Sequence, residues 1–187
     1  MADIKTDLVL DAKGLACPMP IVKTKKAIGT IEPGQVLEVQ ATDKGSKADM
    51  KAWAESTGHQ YIGTVEEGDL LKHYIRKARA NEEKAPHSFG KVLTNDELKA
   101  KLGNNTIILD VRENAEYAFG HIPGAISVPL GELEDRLEEF NKDQEVYVVC
   151  HTGNRSDMAA DKLSGKGFVK VYNVVPGMSE WDGPLEK

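Results

Sequence analysis

Two cysteines, Cys17 and Cys150, stand in contexts that suit sulfur chemistry. Cys150 ends an apolar run, Val146-Tyr-Val-Val149, and is followed by His151, Thr152, Gly153, Asn154, Arg155 and Ser156. The run has no polar alternation, so it reads as a strand covered on both faces that delivers the cysteine to the sheet's edge. Gly153 lets the backbone curl, and Ala159, Ala160 and Leu163 fall at helical spacing. A sulfur at the mouth of a helix meets converging backbone N–H groups and the positive end of the helix dipole, both of which favour negative charge. Arg155 would add a permanent cation at the rim. Cys150 therefore reads as an activated nucleophile rather than a core thiol.

Cys17 opens Cys-Pro-Met-Pro20, in which two prolines suit a first helical turn whose N–H groups have no partner within the helix. The helix continues through Ile21 to Ile28, and Lys23, Lys25 and Lys26 are expected to strengthen a positive field at the thiol. Both thiols are thus expected to be exposed and acidic. With only two cysteines, one in each half, and five scattered histidines, the chain has neither a disulfide framework nor metal-ligand spacing. No cofactor or metal is expected.

The elements that must position these thiols separate into two blocks. In the first, Leu8–Leu10 is a strand, Val36–Ala41 alternates as a half-buried strand, and Met50, Trp53, Ala54 and Thr57 mark an amphipathic helix ended by Gly58. Tyr61–Val65 and Leu70–Ile75 form a hairpin through Glu66-Glu67-Gly68-Asp69. The order β-α-β-α-β-β predicts an α+β two-layer sandwich. In the second block, Thr94 with Asp96 and Glu97 signals a helix start, and Ile107–Val111 and Val169–Val175 read as strands. Leu130, Leu133, Leu137 and Phe140 give a helical stripe. Alternating strands and helices predict an α/β domain with a central parallel sheet and Cys150 at a strand's carboxyl end. Residues 78–91 lack apolar periodicity and read as a linker between domains at 1–77 and 92–187. As a coil, such a linker spans roughly 20 Å.

The net charge of −6 is uneven: residues 1–77 hold 11 basic and 11 acidic side chains, and 78–187 hold 13 and 19. Neither half has the basic excess that phosphate neutralisation requires, so direct nucleic-acid binding is not expected. No stretch approaches the length of a membrane span or a signal peptide, and a cytoplasmic protein with no membrane partner is expected.

Two resemblances sharpen this reading. The Cys150 loop, the segment LDVRENAEYAFGHIPGAISVPL (109–130) and the closing PGMSEWDGPL (176–185) resemble the rhodanese family of sulfurtransferases over about residues 86–187. That family usually has Gly-Gly before the Met, where this chain has Pro176-Gly177. Cys17-Pro-Met-Pro20, Ala41-Thr42-Asp43, Asp49, Trp53 and Gly58-His59 resemble the small TusA or SirA-like sulfur carriers over about residues 5–77. The likeness implies that Cys150 takes sulfane sulfur from thiosulfate or a low-molecular-weight persulfide. The backbone of His151, Thr152, Gly153, Asn154 and Ser156 and the Arg155 cation would hold the outer sulfur. A thiol acceptor, including Cys17 and through it a partner protein, would remove it. Phosphatases and arsenate reductases of the same fold place five residues between Cys and Arg, whereas this loop has four; a phosphatase, an arsenate reductase or a non-catalytic docking protein remain the alternatives. His121, between Gly120 and Pro123-Gly124, reads as a turn residue, and Asp110 and Arg112 as loop anchors.

Overall fold

A computed structural model describes residues 3–79 and 88–187. They fall in two compact units that divide between Ala80 and Asn81. Much of the expected linker, residues 80–87, lies outside the described residues. Its far end does not: Ser88 N, Ser88 Oγ and Phe89 N donate to the Asp157 carboxylate, and Lys91 O accepts from Asn173 N. Residues 88–91 are therefore built into the second unit.

The first unit runs β1 (Leu8–Ala12), α1 (Met19–Ile28), β2 (Val36–Ala41), α2 (Ser46–Ser56), β3 (Gln60–Glu67) and β4 (Leu70–Arg76). Its sheet order is β1-β2-β4-β3. β1 and β2 are parallel, as a crossover through α1 requires, while β2–β4 and β3–β4 are antiparallel. Pro20, Thr24, Ala27 and Ile28 form the buried stripe of α1, and Met50 and Ala54 that of α2. Both pack on Leu37, Val39 and Ile75. β2 is more deeply buried than its alternation suggested, because it lies inside the sheet and Glu38 is covered by its cross-strand partner Tyr74 and by Gln40.

The second unit is an all-parallel five-stranded sheet of order β5-β9-β8-β6-β7. Its elements are β5 (Val92–Thr94), α3 (Asn95–Lys101), β6 (Ile107–Asp110), α4 (Asn114–Phe119), β7 (Ile126–Ser127), β8 (Val146–Val149), α5 (Asn154–Gly165) and β9 (Val171–Val175). β8 is central and all four of its residues are buried, as its unbroken apolar run demands. Thr94 caps α3 with Glu97 closing a capping box. The stripe Leu130, Leu133, Leu137 and Phe140 is buried, but it winds as two 3₁₀ segments, Leu130–Glu132 and Glu134–Glu139. Bonds from the amides of Leu133, Arg136 and Phe140 to the carbonyls three residues before them close its turns. α4, β5 and β7 are short elements that the apolar pattern did not signal.

Candidate active site

Parallel topology places Cys150 at the carboxyl end of the central strand, one loop before α5. Gly153 caps that helix at φ 93°, a left-handed conformation that glycine adopts without steric cost. The turn brings the Gly153 amide to 3.1 Å from the Cys150 Sγ. The Ser156 hydroxyl lies 3.3 Å from the same sulfur and 2.6 Å from Asn173 Oδ1. An amide N–H and a serine hydroxyl, whose single proton Asn173 Oδ1 also attracts, thus meet one sulfur at a helix N-terminus, where negative charge is stabilised. The nucleophile itself is covered: Cys150 is 0% exposed, which corrects the expectation of an open thiol. The loop folds over the strand end because its neighbours hold it there.

The closing segment does much of that holding. Met178 N donates to Cys150 O at 2.8 Å, and Ser179 N donates to His151 O at 2.8 Å. Asn95 grips the same segment, donating from Nδ2 to Gly177 O at 2.9 Å and accepting from Gly177 N at 3.2 Å. A side chain at position 177 would place its Cβ 2.4 Å from Cys150 O, at a φ of +91°. The departure to Pro176-Gly177 therefore keeps the one glycine that this close approach requires.

Arg155 differs most from expectation. It is buried, with Nη1 donating to Glu116 Oε2 at 2.7 Å and Nη2 to Glu116 Oε1 at 2.9 Å, and Glu116 is buried as well. The rim cation is corrected to an internal ion pair that ties α5 to α4, because a guanidinium out of water needs an opposite charge in a forked geometry. Thr152 is exposed, and His151 and Asn154 are half-buried at the loop's outer side. Asp110 and Arg112 do act as loop anchors: Arg112 Nε and Nη2 bind the Asp110 carboxylate, and Nη2 also donates to Gly120 O. His121 stacks on Tyr117 at 3.7 Å between ring centroids and lies 3.8 Å from Glu186, serving the closure of that turn.

Cys17 is exposed, one residue before the Pro18 that leads into α1. A bond from Gly14 N to Thr42 Oγ1 at 2.9 Å ties its loop to the end of β2, so the Asp43 turn and the first turn of α2 share its neighbourhood. The Asp49 carboxylate, first as an acceptor for the thiol hydrogen, then desolvation and the charges of Asp49 and Asp43, hold the Cys17 pKa above the usual thiol value. This reverses the expected direction. Lys25 and Lys26 occupy the last turn of α1, so their charges lie at the helix end remote from the sulfur.

The model of sulfurtransferase TusA matches residues 8–77, and that of the rhodanese-like domain matches 94–183. YrkF of Bacillus subtilis, provisionally named a sulfur carrier protein, is 50% identical over 184 residues, 98% of this chain and 100% of that one. The chain belongs to the family of sulfur carrier proteins that join a TusA domain to a rhodanese-like domain. The sulfur carrier protein TusA of Allochromatium vinosum is 45% identical over 78 residues, 42% of this chain and all of that one. A rhodanese-like domain protein of Staphylococcus aureus is 40% identical and superposes with a TM-score of 0.48, covering 51% of this chain and 96% of that one. Among the described residues of this TusA–rhodanese protein, no helix is long and apolar enough to cross a membrane.

Four residues of the site escaped the sequence reading. Asn173 carried a visible signal, a polar residue inside the buried strand Val171–Val175. Glu116, Asn95 and Asp157 carried none, since each stands in a helix's first turn, where acidic and amide side chains serve equally well as caps.

Proposed function

We propose that this protein is a two-station sulfurtransferase: Cys150 accepts a sulfane sulfur from thiosulfate or a low-molecular-weight persulfide, and Cys17 carries it to a protein acceptor. In the loading step the Cys150 thiolate attacks the outer sulfur of the donor. A bond forms between Sγ and that sulfur, the donor's sulfur–sulfur bond breaks, and sulfite or a thiolate leaves with the bonding pair. In the unloading step an acceptor thiolate attacks the outer sulfur and Cys150 leaves as thiolate. Cyanide can take the same sulfur as thiocyanate. The observation that carries this reading is the pair of donors, Gly153 N–H and Ser156 O–H, within 3.3 Å of the Cys150 sulfur. They suit an anionic sulfur, and the outer loop of His151, Thr152 and Asn154 supplies the polar surface a small donor meets. Arg155 acts through Glu116 by fixing the first turn of α5.

The functional units are the two blocks on either side of the expected linker, with residues 88–91 of that linker belonging to the second unit and the remainder acting as the tether that raises the effective concentration of one thiol for the other. Two free thiols suit a reducing cytoplasm. The test is intact-protein mass after incubation with thiosulfate and, separately, with glutathione persulfide. Wild type and Cys17→Ser should gain one sulfur at Cys150, and Cys150→Ser should gain none from thiosulfate. Phosphate-ester hydrolysis that is lost on Cys150→Ser, without any sulfur gain in wild type, would overturn the reading. Labelled sulfur that reaches Cys17 only at a rate proportional to protein concentration would overturn transfer within one chain.

A further inference from the structure

Asn173 is fully buried on β9, next to the central strand, and its two ends face different chemistry. Nδ2 points at two oxygens, Gly153 O at 3.2 Å and Asp157 Oδ1 at 3.4 Å. Neither oxygen can donate, so the amide is fixed with Nδ2 on that side and Oδ1 toward Ser156. Ser156 has one hydroxyl proton and two acceptors competing for it, Asn173 Oδ1 at 2.6 Å and Cys150 Sγ at 3.3 Å. The shorter contact to a carbonyl oxygen takes the proton whenever the sulfur is uncharged. The Ser156 oxygen then faces Sγ as an acceptor and receives the thiol hydrogen. When the sulfur is a bare thiolate the hydroxyl turns to it, and a buried amide oxygen loses its donor.

We infer that Asn173 is a positioning residue for the sulfur chemistry, one that favours the uncharged states of the Cys150 sulfur over the thiolate by competing for the Ser156 proton. The inference rests on the two-station reading for its consequence. On loading, Sγ bonds to the sulfane sulfur, sulfite departs with the electron pair of the broken sulfur–sulfur bond, and the negative charge moves to the outer atom. The inner sulfur becomes neutral, the Ser156 proton returns to Asn173, and the loaded state gains the bond that the thiolate had broken. Asn173 thereby biases Cys150 toward holding sulfur rather than standing empty and charged. The same amide reaches Asp157, which binds Ser88 and Phe89, so the chain that enters the second unit ends on the network that poises the nucleophile.

The experiment uses the full chain and two readouts. The first is the ultraviolet absorbance of the Cys150 thiolate near neutral pH, taken as a difference spectrum against Cys150→Ser. Asn173→Leu should raise it roughly fivefold, since the competing acceptor is gone. Asn173→Asp, which keeps an oxygen facing Ser156 and shares a proton with Asp157, should leave it within about twofold of wild type. In a Ser156→Ala background, Asn173→Leu should change nothing. The second readout is the equilibrium between empty and persulfidated Cys150 in thiosulfate–sulfite mixtures, which Asn173→Leu should shift toward empty by the same factor. A thiolate signal that falls in Asn173→Leu, or a rise that survives Ser156→Ala, overturns the inference. If Asn173→Leu does not fold, as judged by its thermal transition, Asn173→Val replaces it, and Asn173→Asp must still show no rise. Wild type that takes no sulfur from thiosulfate or from glutathione persulfide would sink the two-station reading, and the absorbance comparison would still decide the role of Asn173.

Discussion

The sulfur of Cys17 stands in the open beside the Asp49 carboxylate, while that of Cys150 lies under its own loop against an amide N–H and the Ser156 hydroxyl. Each thiol sits near the start of a helix that follows a parallel strand, so the backbone frame is similar and the side chains make the difference. The donors around Cys150 suit a charged sulfur, and the loop that carries them covers it. Carboxylates around Cys17 favour its protonated form and leave it open to a large partner. A helix N-terminus alone therefore does not decide how a thiol behaves; the nearest side chains outweigh the dipole, which acts only over the first turn.

The strongest way to break this comparison is to remove either sulfur. Cys150→Ser should lower thiosulfate-dependent sulfur transfer by about three orders of magnitude or more, because the covalent intermediate cannot form. Cys17→Ser should leave the loading of Cys150 within about twofold of wild type and lose delivery to a protein acceptor. Equal losses in thiocyanate release from both variants would show that the two stations are not distinct.

The next effect concerns what keeps Cys150 covered. Glu116→Gln removes the charge that faces a buried guanidinium, and breaking one side of a buried pair costs about 3–5 kcal/mol. The thermal transition of the second unit should drop accordingly, with that of the first unit unchanged. Gly177→Ala should act on the same unit, since its Cβ would stand 2.4 Å from the Cys150 carbonyl. A loss of about 2 kcal/mol or more is expected from that overlap together with the positive φ. An unaltered transition in either variant would mean that the loop is held by something else.

Acid sharpens the contrast from the other side. His73 of the first unit is buried between Ser46 on Nε2 and Thr64 and Tyr61 on Nδ1. Desolvation, with a smaller effect from Lys47, lowers its pKa to about 4. Between that value and the unfolded histidine value near 6.5, the unfolded chain binds more protons than the folded one. Stability of the first unit should thus be full above about pH 6.5 and fall as the pH drops toward 4, by up to roughly 3 kcal/mol. Urea midpoints measured across this range should flatten in His73→Gln, and a first unit equally stable at both ends would contradict the buried neutral imidazole.

How much of this was legible differs between the two thiols. The order of elements in the first unit, the parallel sheet of the second and the family of each unit could be read, because Val146–Val149, the Thr94 cap and the Cys-Pro-Met-Pro20 turn are local signals. What surrounds each sulfur was not local. Glu116 reaches Arg155 across 39 positions, and Asp49 meets Cys17 only because β1 and β2 run parallel and bring both loops to one end of the sheet. The lysines of α1 are close to Cys17 in sequence, yet Lys25 and Lys26 sit in the helix's last turn, where rise along the axis separates them from the thiol. Sequence neighbours mislead about electrostatics wherever the fold supplies nearer charges.

The smallest effect tests that point directly. Asp49 accepts the thiol hydrogen bond and adds its charge, both of which raise the Cys17 pKa, while Asp43 adds charge alone as the weakest cause. Asp49→Asn removes the charge, so the thiol should ionise at lower pH, and its alkylation by iodoacetamide near neutral pH should rise a few-fold. Asp43→Asn should give a smaller rise in the same direction. Because Cys17 is exposed, salt should narrow the gap between wild type and Asp49→Asn, and the thiolate absorbance of the buried Cys150 should not change in either variant. Slower alkylation in Asp49→Asn would mean that the carboxylate draws the proton off Cys17 rather than holding it there, and the contrast between a protonated and an activated thiol would fall.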